Sequence, residues 1–378
     1  MHEGSHLKIL HVIESTATGV LSMASALASE QAERHEVEVA YSRRAETPVS
    51  VRDSFSSGVR LVQLQMSAPK DWMGALWRLR QRVDSNATDV VILHSSLAGF
   101  LGRLALLGLR RPVAIVYIPH CISFMRRDVG AFKRWVFVAL ERIACVTPST
   151  YVACSESEQA RIRSWLPGVK CWLVENAVHL DPDWRLQKQT ASGAKPGRMV
   201  ISVGQLRAQK NPAMFAKIAS AVSRTHPDVK FRWIGDGDLE LRQRLGDAGV
   251  DVVGWLPKAE VLGELRGASV YVSTSQWEGM PVSLIEAIAA GLPLLVSNCD
   301  GNVDVVRHGE SGFVFDNVDE AVRYLTLLLD DASISKAFVA NAWDGLGARF
   351  SFDGYAMKME ALLQAVVARP TSANRSLG

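Results

Sequence analysis

The chain has 378 residues, of which 48% are hydrophobic and 21% are charged, and its formal net charge is +3. This composition allows large cores and excludes wholesale disorder, and the net charge is too small to indicate a nucleic-acid-binding protein. The five cysteines form no CxxC pair and are odd in number, which argues against a disulfide framework or a zinc ribbon and favours a reducing, cytoplasmic location.

Short apolar segments alternate with helical patterns through the first half of the chain. Strands are predicted at 8–13, 36–42, 89–94, 113–120, 151–155 and 171–178, and helices at 19–33, 73–86, 97–107 and 132–144. A polar segment, RLQKQTASGAKPGR at 185–198, follows and is typical of a linker. The alternation predicts βαβ units in a parallel sheet.

The same alternation restarts after the linker. Strands are predicted at 199–204, 230–235, 250–255, 270–275, 293–298 and 312–316, and helices at 211–225, 238–248, 258–267, 281–290, 302–307, 318–330 and 352–367. The fold class is therefore α/β, with two Rossmann-like, doubly wound domains in tandem, an N-terminal one over 1–185 and a C-terminal one over 199–351, joined by 186–198. Such domains bind ligands at the carboxyl ends of their strands, and we expect a site built from the loops of both domains.

Two loops of the first domain are candidates. In HVIESTATGV, a strand leads into a helix near Gly19, whose backbone amides would suit an anion, although an ordinary turn explains the stretch equally well. In VYIPHCISF, His120 follows an apolar strand and would donate a hydrogen bond to a substrate, the alternative being a structural histidine. His94 and Ser95, at the end of another strand, are weaker candidates of the same kind.

In the second domain, the stretch SVGQLRAQKNP places Gly204, Arg207 and Lys210 after the first strand. A guanidinium and an ammonium three residues apart can converge on one diphosphate. A solvated pair of surface charges is the alternative, and the position at a strand end favours the phosphate site.

The stretch EGMPVSLIEAIAAGLP holds two glutamates, Glu278 and Glu286, eight positions apart. Pro281 suits a first helical turn, and the amides that follow are free to bind phosphate. Glu286 would lie about 7 to 8 Å along the helix, where it would accept the hydroxyls of a ribose, while Glu278 would hold a sugar at the far end of the diphosphate. The predicted donor contacts between the two glutamates are Gly279, Met280, Pro281, Val282 and Ser283.

Other patterns are weak or missing. GDGD at 235–238 contains an Asp-x-Asp pair that could hold Mg²⁺, but a turn capped by Asp238 explains it better, and we predict no metal site. The P-loop, H-E-x-x-H and G-x-S-x-G patterns do not occur. No apolar stretch is long enough to predict a transmembrane helix, and the first residues do not resemble a secretion signal.

Several stretches of the chain together closely resemble family-4 retaining glycosyltransferases with the GT-B fold. They are the Glu278–Glu286 stretch, the Arg207–Lys210 loop, HVIESTATGV, YIPHCISF, VACSESEQ and VENAV. The resemblance implies catalytic roles for Glu278, His120, Arg207 and Lys210, with Glu286 on the ribose of a UDP- or GDP-sugar. It also implies transfer with retention, no metal and no cofactor, and a last segment, 352–378, that returns to the first domain. Gly19 without a second glycine, and Ala177 where relatives often have glycine, depart from the family pattern.

The wider sequence is similar to bacterial enzymes that extend O-antigen or capsular polysaccharide on a lipid carrier. Between Arg103 and Lys170 there are eleven Lys and Arg against four Asp and Glu, a local net charge of +7. Within 124–137, basic and aromatic residues interleave, which predicts a peripheral contact with the cytoplasmic face of the inner membrane or with a lipid-linked acceptor. A solvated helix with its apolar side in the core is the alternative. These residues are Arg126, Arg127, Lys133, Arg134, Phe124, Phe132, Trp135 and Phe137.

Two other functions stay open on the sequence. A nucleotide-sugar 2-epimerase would use the same architecture, but it needs acid and base groups on the sugar, and the Arg-Lys loop with the paired glutamates fits transfer better. A non-catalytic nucleotide-sugar-binding module is the other alternative, and the presence of Glu278, Arg207, Lys210 and His120 argues against it. The donor sugar, the base and the acceptor are not determined by the sequence.

Overall fold

The computed structural model describes residues 6–368, apart from 17, 45, 46, 48 and 181–197. The chain divides into two compact units. Unit 1 comprises 1–125, 129–174 and 355–378, and unit 2 comprises 126–128 and 175–354. The predicted linker lies outside the described residues except for Arg198, which is the first residue of a strand.

Unit 1 is built on a seven-stranded parallel sheet in the order β3-β2-β1-β4-β5-β6-β7. Its strands are β1 (Lys8–Ile13), β2 (Glu36–Tyr41), β3 (Arg60–Gln63), β4 (Val90–His94), β5 (Ala114–Ile118), β6 (Thr150–Ala153) and β7 (Lys170–Leu173). The helices that begin in unit 1 are α1 (Thr18–Gln31), α2 (Trp72–Ser85), α3 (Ser96–Ala105), α4 (Ala131–Ala144) and α5 (Glu156–Trp165). All five residues of β4 are buried, as expected for a central strand covered on both faces.

Unit 2 is built on a six-stranded parallel sheet in the order β10-β9-β8-β11-β12-β13. Its strands are β8 (Arg198–Val203), β9 (Val229–Ile234), β10 (Val250–Gly254), β11 (Val270–Ser273), β12 (Leu294–Ser297) and β13 (Phe313–Phe315). Its helices are α6 (Pro212–Ser223), α7 (Leu239–Asp247), α8 (Lys258–Gly267), α9 (Val282–Ala289), α10 (Asn302–Val305), α11 (Val318–Asp330) and α12 (Ala332–Arg349). The last described helix, α13 (Phe352–Val367), lies mainly in unit 1, where Glu360 hydrogen-bonds His35 at 3.1 Å.

Each predicted strand occurs within a few residues of its expected place, and the predicted two-sheet α/β class is confirmed. Strand β3 and helices α5 and α12 were not predicted. Strand β3 has only four residues, and none of them is fully buried. Helix α12 buries only Phe338, Trp343 and Leu346 and therefore carries little amphipathic signal. It nevertheless supports α9, because the Trp343 indole N–H donates to the carbonyl of Ile288.

The positive charge counted between Arg103 and Lys170 is not all at the surface. Arg103 is fully buried and pairs with Glu141 at 2.5 Å, and its guanidinium lies 4.5 Å from the ring centre of Tyr117. This cation is a structural part of the core between α3, α4 and β5. The local charge of +7 therefore overstates the field that unit 1 presents to a ligand.

Candidate functional site

In unit 2, the strand order reverses between β8 and β11, which are neighbours in the sheet but not in the chain. Ligands of doubly wound sheets bind at such a switch point, outside the carboxyl ends of the strands. The loops that follow β8 and β11 are bound to each other there. The amide of Gln276 donates to the carbonyl of Gln209 at 2.8 Å, and the Thr274 hydroxyl donates to the carbonyl of Lys210 at 2.8 Å.

The structure brings Lys210 and Glu278 together across these two loops. The Lys210 Nζ lies 2.7 Å from Oε1 of Glu278, and the Ser275 hydroxyl donates to the same oxygen at 2.7 Å. The Gln209 side-chain amide donates to Oε2 at 3.1 Å. The Glu278 side chain is only 8% exposed. A carboxylate with so little water contact requires such partners, because its desolvation is otherwise very costly.

Two glycines allow this close packing. A Cβ on Gly204 would lie 3.0 Å from Cε of Lys210, so the lysine side chain runs directly over the backbone where β8 ends. Gly301 has a φ of +87°, and a Cβ there would lie 2.6 Å from Cβ of Glu278. The loop after β12 therefore presses its backbone against the Glu278 residue and fixes its position.

Arg207 lies in the same loop as Lys210 but has a different environment. Its side chain is exposed and donates from Nη2 to the side-chain oxygen of Gln209. Gln209 in turn donates to Glu278, so a chain of polar contacts runs from the exposed guanidinium to the buried carboxylate. The predicted convergence of Arg207 and Lys210 on one diphosphate is not tested by these contacts.

Helix α9 begins at Val282, one residue later than predicted, because Pro281 has an extended ψ of 116° and acts as the N-cap. The first amides of a helix have no partner within it, and those of α9 belong to Val282 and Ser283. Both residues are partly exposed. The turn before the helix is held by Asn176, whose side-chain amide donates to the carbonyl of Met280 at 2.7 Å. Gly279, Met280 and Pro281 are buried, so what this turn offers is backbone rather than side chains.

Glu286 lies one helical turn into α9, and its side chain is 13% exposed. Burial raises the pKa of its carboxyl, and the Lys258 ammonium, 3.8 Å away, partly offsets that effect. Lys258 is the first residue of α8 and is itself well exposed. A largely buried carboxylate with one flexible cation beside it retains free acceptor capacity.

In unit 1, His120 follows β5 and lies beside His94, the last residue of β4, with Nε2 3.0 Å from His94 Nδ1. Residues His120 and Cys121 have φ values of 56° and 111°, which are uncommon for residues with side chains. The buried Glu158 carboxylate accepts hydrogen bonds from the amides of Cys121 and Ile122 at 2.9 and 2.8 Å and holds this strained loop.

The other candidates of unit 1 occupy less defined positions. Gly19 is the second residue of α1 and is exposed, with open space around it. Ser95 has a φ of 80°, and its hydroxyl is buried without a hydrogen-bond partner among the residues that the structure describes.

The aromatic residues of 124–137 do not all lie at the surface. Phe124 is buried and Phe137 is partly buried, which corrects the prediction for both. Phe132 and Trp135 are 78% and 64% exposed, and with Ile143 they form an apolar stripe along the outer side of α4; the exposed Val146 follows just beyond the end of the helix. Of the four basic residues, Arg126 pairs with Asp128 at 2.7 Å, Arg134 is partly buried, and Arg127 and Lys133 are exposed.

The GDGD segment forms the predicted turn. Asp238 caps α7 by accepting from the amides of Glu240 and Leu241, at 2.9 and 3.1 Å, and Asp236 pairs with Arg242. Among the described residues, no group of three His, Cys, Asp or Glu side chains is arranged to hold a metal ion. No described helix is long and apolar enough to cross a membrane.

The sequence reading missed several residues that build these sites. Gln209 and Ser275 hold the Glu278 carboxylate, Asn176 holds the turn before α9, and Glu158 holds the His120 loop. Gln209 and Ser275 lie within a few residues of predicted site residues, and this proximity was the only local signal. Asn176 lies in VENAV and Glu158 in VACSESEQ, two stretches that carry the family resemblance, but Asn176 is 104 positions from its partner, so the sequence did not indicate that contact.

Family models match both halves of the chain. A model described as glycosyl transferases group 1 matches residues 185–344, and one described as a glycosyl transferase 4-like domain matches residues 17–177. The two matches together take in most of the chain. The chain therefore belongs to the glycosyltransferases with the GT-B fold, and the predicted family is confirmed.

Individual relatives agree with this assignment. The chain is 28% identical, over 68% of its length and 71% of the relative's, to an Escherichia coli UDP-Gal:alpha-D-GlcNAc-diphosphoundecaprenol alpha-1,3-galactosyltransferase. It is 25% identical to an uncharacterized glycosyltransferase of Haemophilus influenzae, over 72% of this chain and 75% of that one.

Solved structures support the fold. Sucrose-phosphate synthase from Thermosynechococcus elongatus matches with a TM-score of 0.78 at 16% identity, over 96% of this chain and 99% of that one. Anabaena HepE in complex with UDP-glucose matches with a TM-score of 0.76 at 17% identity, over 95% and 100% of the two chains.

Proposed function

We propose that the protein is a retaining glycosyltransferase that moves a sugar from a nucleotide-diphospho-sugar to a saccharide acceptor, without a metal ion. The observation that carries the proposal is the Lys210–Glu278 pair at the switch point of unit 2, beside the free amides at the start of α9. Lys210 can bind phosphate and Glu278 can bind sugar hydroxyls, and the two side chains are in contact. The phosphate and the sugar are likewise adjacent in a nucleotide-diphospho-sugar.

The donor would lie along α9. Its diphosphate would contact Lys210, Arg207 and the amides of Val282 and Ser283, which the helix dipole makes favourable for an anion. The ribose hydroxyls would donate to Glu286, whose carboxylate is largely buried and only loosely paired with Lys258. The transferred sugar would lie beyond the diphosphate and donate its hydroxyls to Glu278.

In the transfer step, the bond between the anomeric carbon and the diphosphate oxygen breaks, and a bond to the acceptor oxygen forms on the same face. The acceptor proton passes to the oxygen of the leaving diphosphate. Negative charge builds on that diphosphate, and fixed cations and amides lower the barrier because they stabilise the charge where it develops. These groups would fill the role that a divalent cation has in other transferases.

A lipid-linked acceptor in bacterial surface polysaccharide synthesis extends the proposal. The support is the E. coli relative, whose name specifies a diphosphoundecaprenol acceptor, together with the exposed apolar stripe on α4 and the nearby Lys133. An anionic leaflet would attract the lysine, and Phe132 and Trp135 would insert at the interface.

The donor is identified by a thermal-shift screen of UDP, GDP and their sugars. A ligand at a hundred times its Kd stabilises the native state by about 2.7 kcal/mol, so a true donor raises Tm measurably. Incubation of that donor with lipid-linked saccharides should then yield a glycoside whose anomeric configuration, read by NMR, is that of the donor. Activity should survive EDTA. An inverted product, or an epimerised donor formed without acceptor, would overturn the proposal.

The membrane contact is tested by co-sedimentation with vesicles of phosphatidylglycerol and phosphatidylethanolamine. Phe132→Ser should reduce binding, whereas Leu239→Ser, a change at a residue of equal exposure (79%) on α7 of unit 2, should not. Equal binding by both variants and the native protein would contradict the assignment of α4 as the contact.

A further inference from the structure

Three histidines form a continuous hydrogen-bonded chain within unit 1. His11 lies on β1, His94 ends β4, and His120 follows β5, and these three strands are adjacent in the sheet. Nδ1 of His11 lies 3.0 Å from Nε2 of His94, and Nδ1 of His94 lies 3.0 Å from Nε2 of His120. The rings are nearly parallel, with centres 5.2 and 5.3 Å apart.

At its inner end, this chain of hydrogen-bonded histidines ends at Gln31, the last residue of α1. Its side-chain oxygen lies 2.8 Å from Nε2 of His11, and both residues are buried. The amide nitrogen of Gln31 is buried with no partner in the described part of the chain. At the opposite end, no described residue hydrogen-bonds Nδ1 of His120, a partly exposed side chain.

The three rings are neutral at pH 7. Burial lowers the pKa of His11 and of His120 to about 4, and burial together with the two neighbouring rings lowers the pKa of His94 well below its usual range. A neutral imidazole carries one N–H and one lone pair. Each ring in the chain must therefore donate in one direction and accept from the other.

The Gln31 oxygen sets that direction, because an amide oxygen only accepts. His11 donates its Nε2–H to Gln31 and accepts at Nδ1 from Nε2–H of His94. His94 accepts at Nδ1 from Nε2–H of His120. These hydrogen bonds leave the Nδ1 lone pair of His120 without a partner among the described residues.

We propose that Gln31, His11 and His94 are positioning residues that hold His120 in its Nε2–H tautomer, so that Nδ1 accepts a hydrogen bond from a hydroxyl of the bound saccharide. The inference rests on the proposed transferase function and refines the sequence-based expectation, in which His120 donates. Glu158 adds to the effect, because it fixes the backbone that carries the ring.

The tautomer is measured directly by long-range ¹H–¹⁵N NMR of histidine-labelled protein. We expect His120 to carry its proton on Nε2, with Nδ1 at the chemical shift of an unprotonated nitrogen. Because this readout does not depend on activity, it separates failure of the inference from failure of the proposed function. A proton on Nδ1 of His120 in the native protein would overturn the inference.

Two substitutions of Gln31 should change the direction of the hydrogen bonds between the three histidines. Gln31→Met removes the acceptor at similar volume, so His120 should populate both tautomers. If the two are about equally populated, kcat should fall about twofold, in proportion to the fraction that keeps the Nε2 proton, with donor KM little changed. Gln31→Glu places a carboxylate beside His11 and favours its imidazolium, both of whose nitrogens donate. His11 would then donate to His94, and His94 would donate to His120, so the His120 proton should move to Nδ1.

His35→Gln is the matched control, because His35 is also a buried histidine of unit 1 but lies outside the chain and pairs with Glu360. It should leave both the His120 shifts and kcat unchanged. An Nε2 proton on His120 in both Gln31 variants would show that Gln31 does not set the tautomer and would refute the inference, whatever the change in activity.

Discussion

Replacing Lys210 with methionine is expected to destabilise unit 2, because it leaves the buried Glu278 carboxylate without its cation. Two unit charges 2.7 Å apart attract by about 6 kcal/mol at an effective dielectric constant near 20, and desolvation of the two groups offsets much of this. Removing one partner of a buried pair typically costs about 3–5 kcal/mol. The hydrogen bonds from Ser275 and Gln209 remain, so we expect a cost of about 2–4 kcal/mol here.

A second change should recover most of that loss. Glu278→Gln removes the charge and keeps the shape, so the double variant Lys210→Met/Glu278→Gln should lie within about 1 kcal/mol of the native protein. The double-mutant cycle then gives a favourable coupling energy of about 1.5–3 kcal/mol between the two residues. Both single variants should also lose transfer activity, so the cycle is read in stability.

Native-state hydrogen exchange is the suitable assay, because a chain of two units need not unfold in one transition. Exchange of the amides of β8 and β11 reports the opening free energy of unit 2. Amides of β4, in unit 1, serve as an internal reference that should not change. A coupling energy below about 0.5 kcal/mol would refute the argument that Glu278 depends on Lys210.

Three further predictions follow from individual contacts. Glu286→Gln should raise the donor Kd by about 10- to 100-fold, because it weakens hydrogen bonds to a charged group, and should leave kcat at saturating donor nearly unchanged. Calorimetry with the identified nucleotide measures the Kd, and an unaltered value would contradict the ribose assignment. Gly301→Ala should cost at least about 2 kcal/mol because of its positive φ and its close contact with Glu278. Gly263→Ala, in open space on α8, should be neutral or stabilising by up to about 1 kcal/mol in the same hydrogen-exchange assay of unit 2. Acidification should destabilise unit 1, because between pH 4 and 6.5 His11 binds fewer protons in the folded state than in the unfolded state. The free energy of unfolding should therefore fall as the pH drops through that window, by at most about 1.4 kcal/mol per pH unit, and His94 adds to the fall. Equal exchange protection of β4 at pH 7 and pH 5 would contradict this.

The pattern of residues along the chain is enough to predict the two parallel sheets and the loops in which the chemistry would lie. Alternating apolar and helical segments predict βαβ units because burial on both faces of a parallel sheet demands apolar strands. The rule that ligands bind at strand ends then selected the Lys210 and Glu278 loops. Both arguments are local, and they succeed because strand and turn signals extend over only a few residues.

Which side chains face one another depends on how distant loops pack and could not be predicted from the sequence. Loops far apart in the chain pack together around Glu278. This packing pairs Lys210 with the Glu278 carboxylate, places Gln209 and Ser275 as donors to the same carboxylate, and brings the backbone of Gly301 against Glu278.

The histidine chain shows the same limit. His11, His94 and His120 are separated by 83 and 26 positions, and only the strand order β1-β4-β5 places their rings in line. A sequence records which groups can donate or accept protons, but the direction of a hydrogen bond depends on the neighbour that folding supplies.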